Sequence, residues 1–248
     1  MNHKCTFFAV LGIAAIAGLA SCKKSETPEV KNAADYSPFT IGKYITYKMD
    51  STNYIGYTTT PTITSYYVKD VVEAEITDNL GRKSYRIVRY IKDSLNQPVW
   101  RNNNTFMATP LEKSIEYVEN NLRFIRLQNP VSDGFEWPGT SHISGNGNNP
   151  AIQFFEGWRY HYENIGGPFT VFTNTVTNTI TVNQADDQTG FPSDPGVFSD
   201  RDFGKEVFGK GIGLIYKDFL HWTYQPPSNG APGYRAGYGV KLVMIDHN

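Results

Sequence analysis

The chain has 248 residues, 23 Lys and Arg against 24 Asp and Glu, a formal net charge of −1, and two cysteines. Such a balance excludes an electrostatic nucleic-acid binder, which concentrates a basic excess on one face. The length suffices for one large β domain or two small ones with a substantial core.

The N-terminus has three parts. His3 and Lys4 give a basic start, Phe7 to Leu19 form an uncharged apolar run, and small residues lead to Cys22. A run of about 13 residues is too short to cross a hydrocarbon core of about 30 Å comfortably, but suits the h-region of a secretory signal. A membrane anchor that happens to contain a cysteine is the competing reading. The ending Leu19-Ala20-Ser21-Cys22 resembles the lipobox of bacterial lipoproteins. The resemblance implies cleavage before Cys22, diacylglycerol on its thiol, and acylation by chains such as palmitate. Cys5 would leave with residues 1–21, so no thiol would remain for a disulfide, a metal or a nucleophile. The 227 remaining residues would carry 22 basic and 24 acidic side chains, a net of −2.

Residues 22–35, beginning CKKSETPEVKNAAD, are polar and contain a proline, which reads as a flexible tether. Lys23 and Lys24 could touch anionic head groups, though a plain solvated tether explains them as well. They match neither the acidic run that directs some Gram-negative lipoproteins to the surface nor the aspartate that retains others on the inner membrane. The expected address is therefore the outer membrane, facing the periplasm, with surface display as the alternative.

From Tyr36 onward the composition favours strands: Tyr, Phe, Thr, Val and Ile are abundant, with Gly, Pro, Asn and Asp clusters between. Residues 43–49 and 63–76 read as strands, and the turn Asp78-Asn79-Leu80-Gly81 leads into a partner around Tyr85 to Tyr90. Residues 109–119 are open to two readings. Thr109-Pro110-Leu111-Glu112 looks like a capping box with proline at the first helical position, whereas alternation through Phe124 favours strand, Asn120-Asn121 turn, strand. Residues 129–150 read as a long loop. Residues 158–163 and 169–182 resume strands, Asp186 to Asp202 reads as an acidic loop, and 212–223 and 234–245 form two more strands. The fold expected is all-β and mostly antiparallel: one domain over 36–248, a meandering sheet curled into a half-barrel or barrel-like sandwich, with at most one or two short helices.

The ordered pieces Phe39-x-x-Gly42-x-Tyr44-x-x-Tyr47, Asn121-x-x-Phe124-Ile125-x-Leu127-x-x-Pro130, Gly134-x-x-Trp137, Val182-Asn183-Gln184-Ala185-Asp186-Asp187 and Val207-x-x-Lys210-Gly211-Ile212-Gly213-Leu214-Ile215-Tyr216-Lys217 resemble a family of bacterial lipoproteins of uncharacterised activity. The resemblance spans most of 36–248 and implies no activity. At the level of fold it is similar, more remotely, to the half-barrels of periplasmic lipoprotein and lipid carriers, a likeness that cannot establish function.

Few residues point to chemistry. Gly209, Gly211 and Gly213 lead into the β run Leu214-Ile215-Tyr216 rather than a helix, so they read as a turn or bulge and not a phosphate cradle. Asp186, Asp187, Asp194, Asp200 and Asp202 could supply oxygens to calcium, but lack a regular ligand spacing, and Pro192 and Pro195 interrupt them. His161 and Glu163 share one strand face and could begin a zinc site that nothing completes. Glu136, Glu156 and Glu163, near Trp137, Trp158 and Tyr160, are the carboxylates a glycosidase could use. Aromatics are 14% of the chain, enough to supply a binding surface besides a core. Trp137, Trp158, Tyr160, Tyr162, Trp222 and Tyr224, with Phe154 and Phe155, could line a cavity for an apolar ligand or stack on sugar rings.

The sequence thus leads to a noncatalytic, lipid-anchored envelope module for a hydrophobic ligand, a glycan or a partner protein, without a cofactor. A structural or assembly accessory is the alternative, and a carboxylate-dependent hydrolase comes third.

Overall fold

The computed structural model describes residues 31–144 and 149–248; Cys22, the expected signal peptide and most of the tether lie outside the described residues. Residues 31–248 cluster as one compact unit. Its strands are β1 (Tyr44–Asn53), β2 (Thr62–Thr77), β3 (Lys83–Lys92), β4 (Arg101–Pro110), β5 (Ser114–Glu119) and β6 (Leu122–Gln128). They continue with β7 (Glu136–Trp137), β8 (Tyr160–Val171), β9 (Asn174–Thr189), β10 (Ser199–Gly209), β11 (Gly213–Gln225) and β12 (Tyr234–His247). One short helix, α1 (Pro150–Gln153), and a 3-10 turn at Ala33–Tyr36 are the helical elements among the described residues.

All twelve strands join one antiparallel sheet in the order β6-β5-β4-β3-β2-β1-β12-β11-β10-β9-β8-β7. This is a meander whose two halves are zipped by β1 against β12, from Ile45 opposite His247 to Asn53 opposite Tyr238. Sheet twist brings β6 and β7 face to face, so the sheet nearly closes into a barrel; the all-β, antiparallel class is the one expected. The seam is bridged rather than paired. Ile125 N–H donates to Gly139 O (2.8 Å), the Trp137 indole to Ile125 O (2.7 Å), and the Tyr162 hydroxyl exchanges hydrogen bonds with the Gln128 backbone (2.8 and 2.9 Å).

A twelve-stranded barrel is wider than the eight strands whose side chains just fill the interior, so other groups must occupy the lumen. Large inward aromatics do much of this: Tyr36, Tyr47, Trp137, Tyr160 and Tyr162 are all fully buried. The two ends are stoppered by local structure. At one end the 3-10 turn, capped by Asn32 and tied through Asp35 O to Gly211 N (2.7 Å), inserts Tyr36. At the other, α1 and the residues after it bring in Phe154, Phe155 and Trp158.

The turns follow from their residues. Asp78 Oδ1 accepts from Leu80 and Arg82 N–H (both 2.9 Å), closing the β2–β3 hairpin. Asn120 and Asn121 adopt φ of 52° and 64°, the paired left-handed geometry of a tight hairpin. Residues 109–119 are therefore strand, turn and strand, with Pro110 ending β4 instead of beginning a helix. Gly209 to Gly213 form the β10–β11 turn, as their β context predicts.

Three expectations need correction. The run 169–182 is not one strand, because Phe172 takes φ of 51° and turns β8 back into β9. The acidic stretch 186–202 is mostly strand. Asp186 to Thr189 pair with Phe203 to Asp200, and the loop is only 190–198. Its carboxylates sit at the solvated end of a hairpin, where Arg201 meets Asp186 at 2.5 Å and His221 meets Asp202 at 2.6 Å. β4 falls in an Asn-rich stretch that carries no strand signal of its own, and its neighbours β3 and β5 pull it into the sheet.

Candidate functional site

A cavity of about 220 Å³ lies inside the barrel between the α1 stopper and the middle of the lumen. Its walls are Leu122, Phe124, Phe155, Phe219, Tyr238 and Val240; Ile152 closes it on the α1 side. It reaches solvent beside Asn120 and Tyr238, both exposed. A second, smaller space of about 80 Å³ lies toward the 3-10 turn, and the two share Tyr117, Glu119, Arg126 and Lys217. Those residues, with Glu206, form a polar layer across the lumen.

Each member of that layer is placed by strand geometry. Ile115 pairs with Leu127 and Glu116 with Ile125, which leaves Arg126 as the extra residue of a bulge on β6. A bulge re-aims a side chain, and here it sends the guanidinium inward. Gln184 is likewise the extra residue on β9, because Gly204 pairs with Ala185 and Lys205 with Asn183. Gly204 sits opposite: a Cβ there would come within 2.9 Å of the Gln184 side chain and 3.1 Å of Trp158. Glu206 and Lys217 face each other across β10 and β11.

Arg126 and Glu206 form a bidentate pair (2.8 and 2.5 Å), and both are nearly inaccessible to solvent. Lys217 Nζ lies 3.1 Å from Glu119 and 3.7 Å from Glu206. Burial opposes charge at Arg126, but Glu206 outweighs it and holds the guanidinium well above its ordinary pKa. Burial also pushes the Glu119 carboxyl up, yet Lys217, then Arg126 and Arg89, bring it down to about 2. The layer is thus two cations and two anions that already compensate one another. The Arg126 guanidinium also lies over the Tyr117 ring, 4.3 Å from its centre.

Three uncharged polar groups face the cavity without a partner. The hydroxyls of Tyr117 and Tyr160 and the amide of Gln184 make no hydrogen bond among the described residues, although the three residues are only 8%, 1% and 7% exposed. Burial, and then the nearby Glu206 charge, raise the Tyr160 hydroxyl well above its ordinary pKa, and burial raises Tyr117 too. Both therefore stay protonated, able to donate and to accept.

Of the eight aromatics expected to line a cavity, Phe155 and Tyr160 line this one. Trp158 packs behind it, against Phe155 (5.0 Å) and Phe219 (6.2 Å). Trp137 and Tyr162 spend their polar ends on the seam, with ring centres 4.6 Å apart. Lys217 and Phe219 face inward on β11, so Trp222 and Tyr224 fall on the outer face. There Arg235 lies over Trp222 (4.3 Å), and the Tyr224 hydroxyl donates to Pro195 O (2.8 Å).

The suggested metal ligands are dispersed. Asp202 bonds His221 (2.6 Å), Asp186 meets Arg201, Asp194 caps its own loop at Gly196 N (2.8 Å), Asp200 bonds Thr189, and Asp187 is exposed. His161 and Glu163 do meet, at 3.2 Å, but no group of three or more His, Cys, Asp or Glu gathers among the described residues. Glu136 pairs with Arg159 (3.2 Å) and Glu156 is exposed, so the three suspected carboxylates are not assembled in the cavity.

The polar layer was not anticipated, although a signal exists. Glu119 follows Ile115 and Tyr117 on one strand face, and Lys217 precedes Phe219 on another; each is a charge at an inward position. The chain matches no family model, and no curated protein matches it.

Proposed function

We propose that this chain is a noncatalytic binding module that takes a small ligand into the barrel cavity, and that it is held at the outer membrane, on the periplasmic side, by a lipid on Cys22. The observation that carries the binding reading is the cavity of about 220 Å³, into which Tyr117, Tyr160 and Gln184 present polar groups unpaired with other described residues, among aromatic walls. These groups keep enough exposure in the cavity to meet water, and a ligand that displaces that water can take over their hydrogen bonds. The lipobox residues carry the anchoring reading. Both carboxylates that line this cavity, Glu119 and Glu206, are tied to cations, and neither is available as the general acid that glycoside hydrolysis needs. That supports a role in binding.

A second reading, an assembly accessory that docks a partner protein, draws on the rim around α1. The loops there expose Ile55, Tyr57, Leu95, Val99, Phe191 and Phe198. The loops bearing Ile55 and Tyr57, and Phe191 and Phe198, are each tied to the β11–β12 hairpin, since Arg235 N donates to Thr58 O and the Tyr224 hydroxyl to Pro195 O.

Native mass spectrometry of the chain purified from its own envelope tests both. A small bound mass, lost when Phe124→Trp narrows the cavity, is expected. A clean ligand-free mass with a stoichiometric protein partner would transfer the function to the rim. The same spectrum reads the anchor, as an acylated N-terminal cysteine at position 22.

A further inference from the structure

The cavity's chemistry narrows its ligand, given that the cavity is a binding site at all. From the pairing of its charges and its unpartnered neutral groups, we infer that it takes an uncharged, polyhydroxylated single ring: a monosaccharide unit, free or at the end of a glycan.

Charge comes first. Arg126, Lys217, Glu119 and Glu206 sum to zero and are mutually engaged at 2.5–3.7 Å. An anionic ligand would find no free cation and a cationic one no free carboxylate; either would add an uncompensated charge to a buried site. A wholly apolar ligand fails for the opposite reason. It would seal the Tyr117 and Tyr160 hydroxyls and the Gln184 amide from water without replacing their hydrogen bonds. Ring hydroxyls, each a donor and an acceptor, answer these groups, and the C–H face of a sugar suits Phe124, Phe155, Phe219 and Tyr238.

Size sets the upper limit. A volume of about 220 Å³ is short of the roughly 300 Å³ at which drug-sized pockets begin. An acyl chain or an oligosaccharide does not fit inside, but one ring does, with further sugars leaving past Asn120 and Tyr238.

The test is saturation-transfer NMR and calorimetry on the purified chain with a defined panel. It comprises the common neutral hexoses and pentoses, their methyl glycosides, glucuronate, glucosamine and cyclohexanol. At least one neutral sugar should bind, and at least tenfold more tightly than its acidic or amino counterpart and than cyclohexanol. Equal binding of the methyl glycoside would identify a terminal glycan residue, while loss on methylation would identify the free sugar. Tyr160→Phe should weaken binding about tenfold, the value of one hydrogen bond to a well-fitted ligand, with an unchanged melting temperature. Gln184→Leu is the second variant, with the same expected loss. Binding led by glucuronate, glucosamine or cyclohexanol would overturn the assignment of ligand class and leave the binding reading intact. No binding by any neutral sugar would also overturn it, while the native mass spectrum, read separately, decides whether the cavity holds anything.

Discussion

At the scale of single residues, the lumenal charges combine high cost with tight pairing. Arg126 and Glu206 are among the least exposed charged groups in the protein, with side chains 10% and 2% accessible. Removing one partner strands the other, so Glu206→Gln should cost about 3–5 kcal/mol in denaturant unfolding. The double replacement Arg126→Met with Glu206→Met should recover much of that, because it removes both desolvation penalties. If the double variant is as unstable as the single one, the pair supplies more than compensation. Glu119 makes the layer sensitive to acid. Its folded-state pKa of about 2 lies below the ordinary 4.5 of a glutamate, so the stability it contributes is complete above about pH 4.5 and lost as pH falls toward 2. Glu119→Gln should be less stable than the parent at pH 7. The gap should shrink by on the order of 2 kcal/mol between pH 7 and pH 3, as urea midpoints at pH 7, 4.5 and 3 can show.

At the scale of elements, the seam between β6 and β7 is closely packed. Gly139 accepts from Ile125 N–H across it, and a Cβ at Gly139 would overlap the Tyr160 ring. Gly139→Ala should therefore cost about 1–3 kcal/mol by overpacking. It should also speed hydrogen exchange at the Ile125 amide more than at amides within the β1–β12 ladder. Uniform acceleration at both would mean the seam opens only with the whole barrel. The same seam shows where sequence reading stops. Strands with strong alternation or clear turns were legible: β1, β2, β11 and β12 lie within a few residues of their expected limits, and Asn120-Asn121 marked its hairpin. Phe172 gave no such sign, because a phenylalanine at positive φ looks like strand interior until its neighbours force the turn. The cavity was illegible for a related reason. Arg126 and Gln184 point inward through bulges, and a bulge depends on the register of two strands rather than on either sequence alone.

For the whole molecule, the decisive feature is a circular order cut at an unusual place. The sheet runs β7 to β12 and then β1 to β6, so the chain ends meet in mid-sheet while the open seam falls between consecutive strands. Its central pairing joins residues as distant as Lys48 and Val243. Such contacts carry a large loop-closure cost before they return anything, which slows folding. A permuted chain tests this. It would begin at Asp133, run to Asn248, continue through a short Gly/Ser linker to Lys31, and end at Ser132; both residues at the cut are exposed. The joined ends share one end of the barrel, since the Asn248 side chain accepts from Tyr44 N and Asp35 O accepts from Gly211 N. In that order every ladder of the sheet links consecutive strands, and only the few seam contacts become remote. The permutant should keep the parent's near-ultraviolet dichroism, since the packing of Trp137, Tyr160 and Tyr162 is unchanged. It should also refold at least tenfold faster in stopped-flow experiments. Loss of cooperative unfolding would show that the covalent link from Gln128 to Glu136, rather than the meander itself, holds the two edges together. In that case the cavity would depend on a connection of a few residues, and its ligand would be expected to stabilise the seam as well as fill the space.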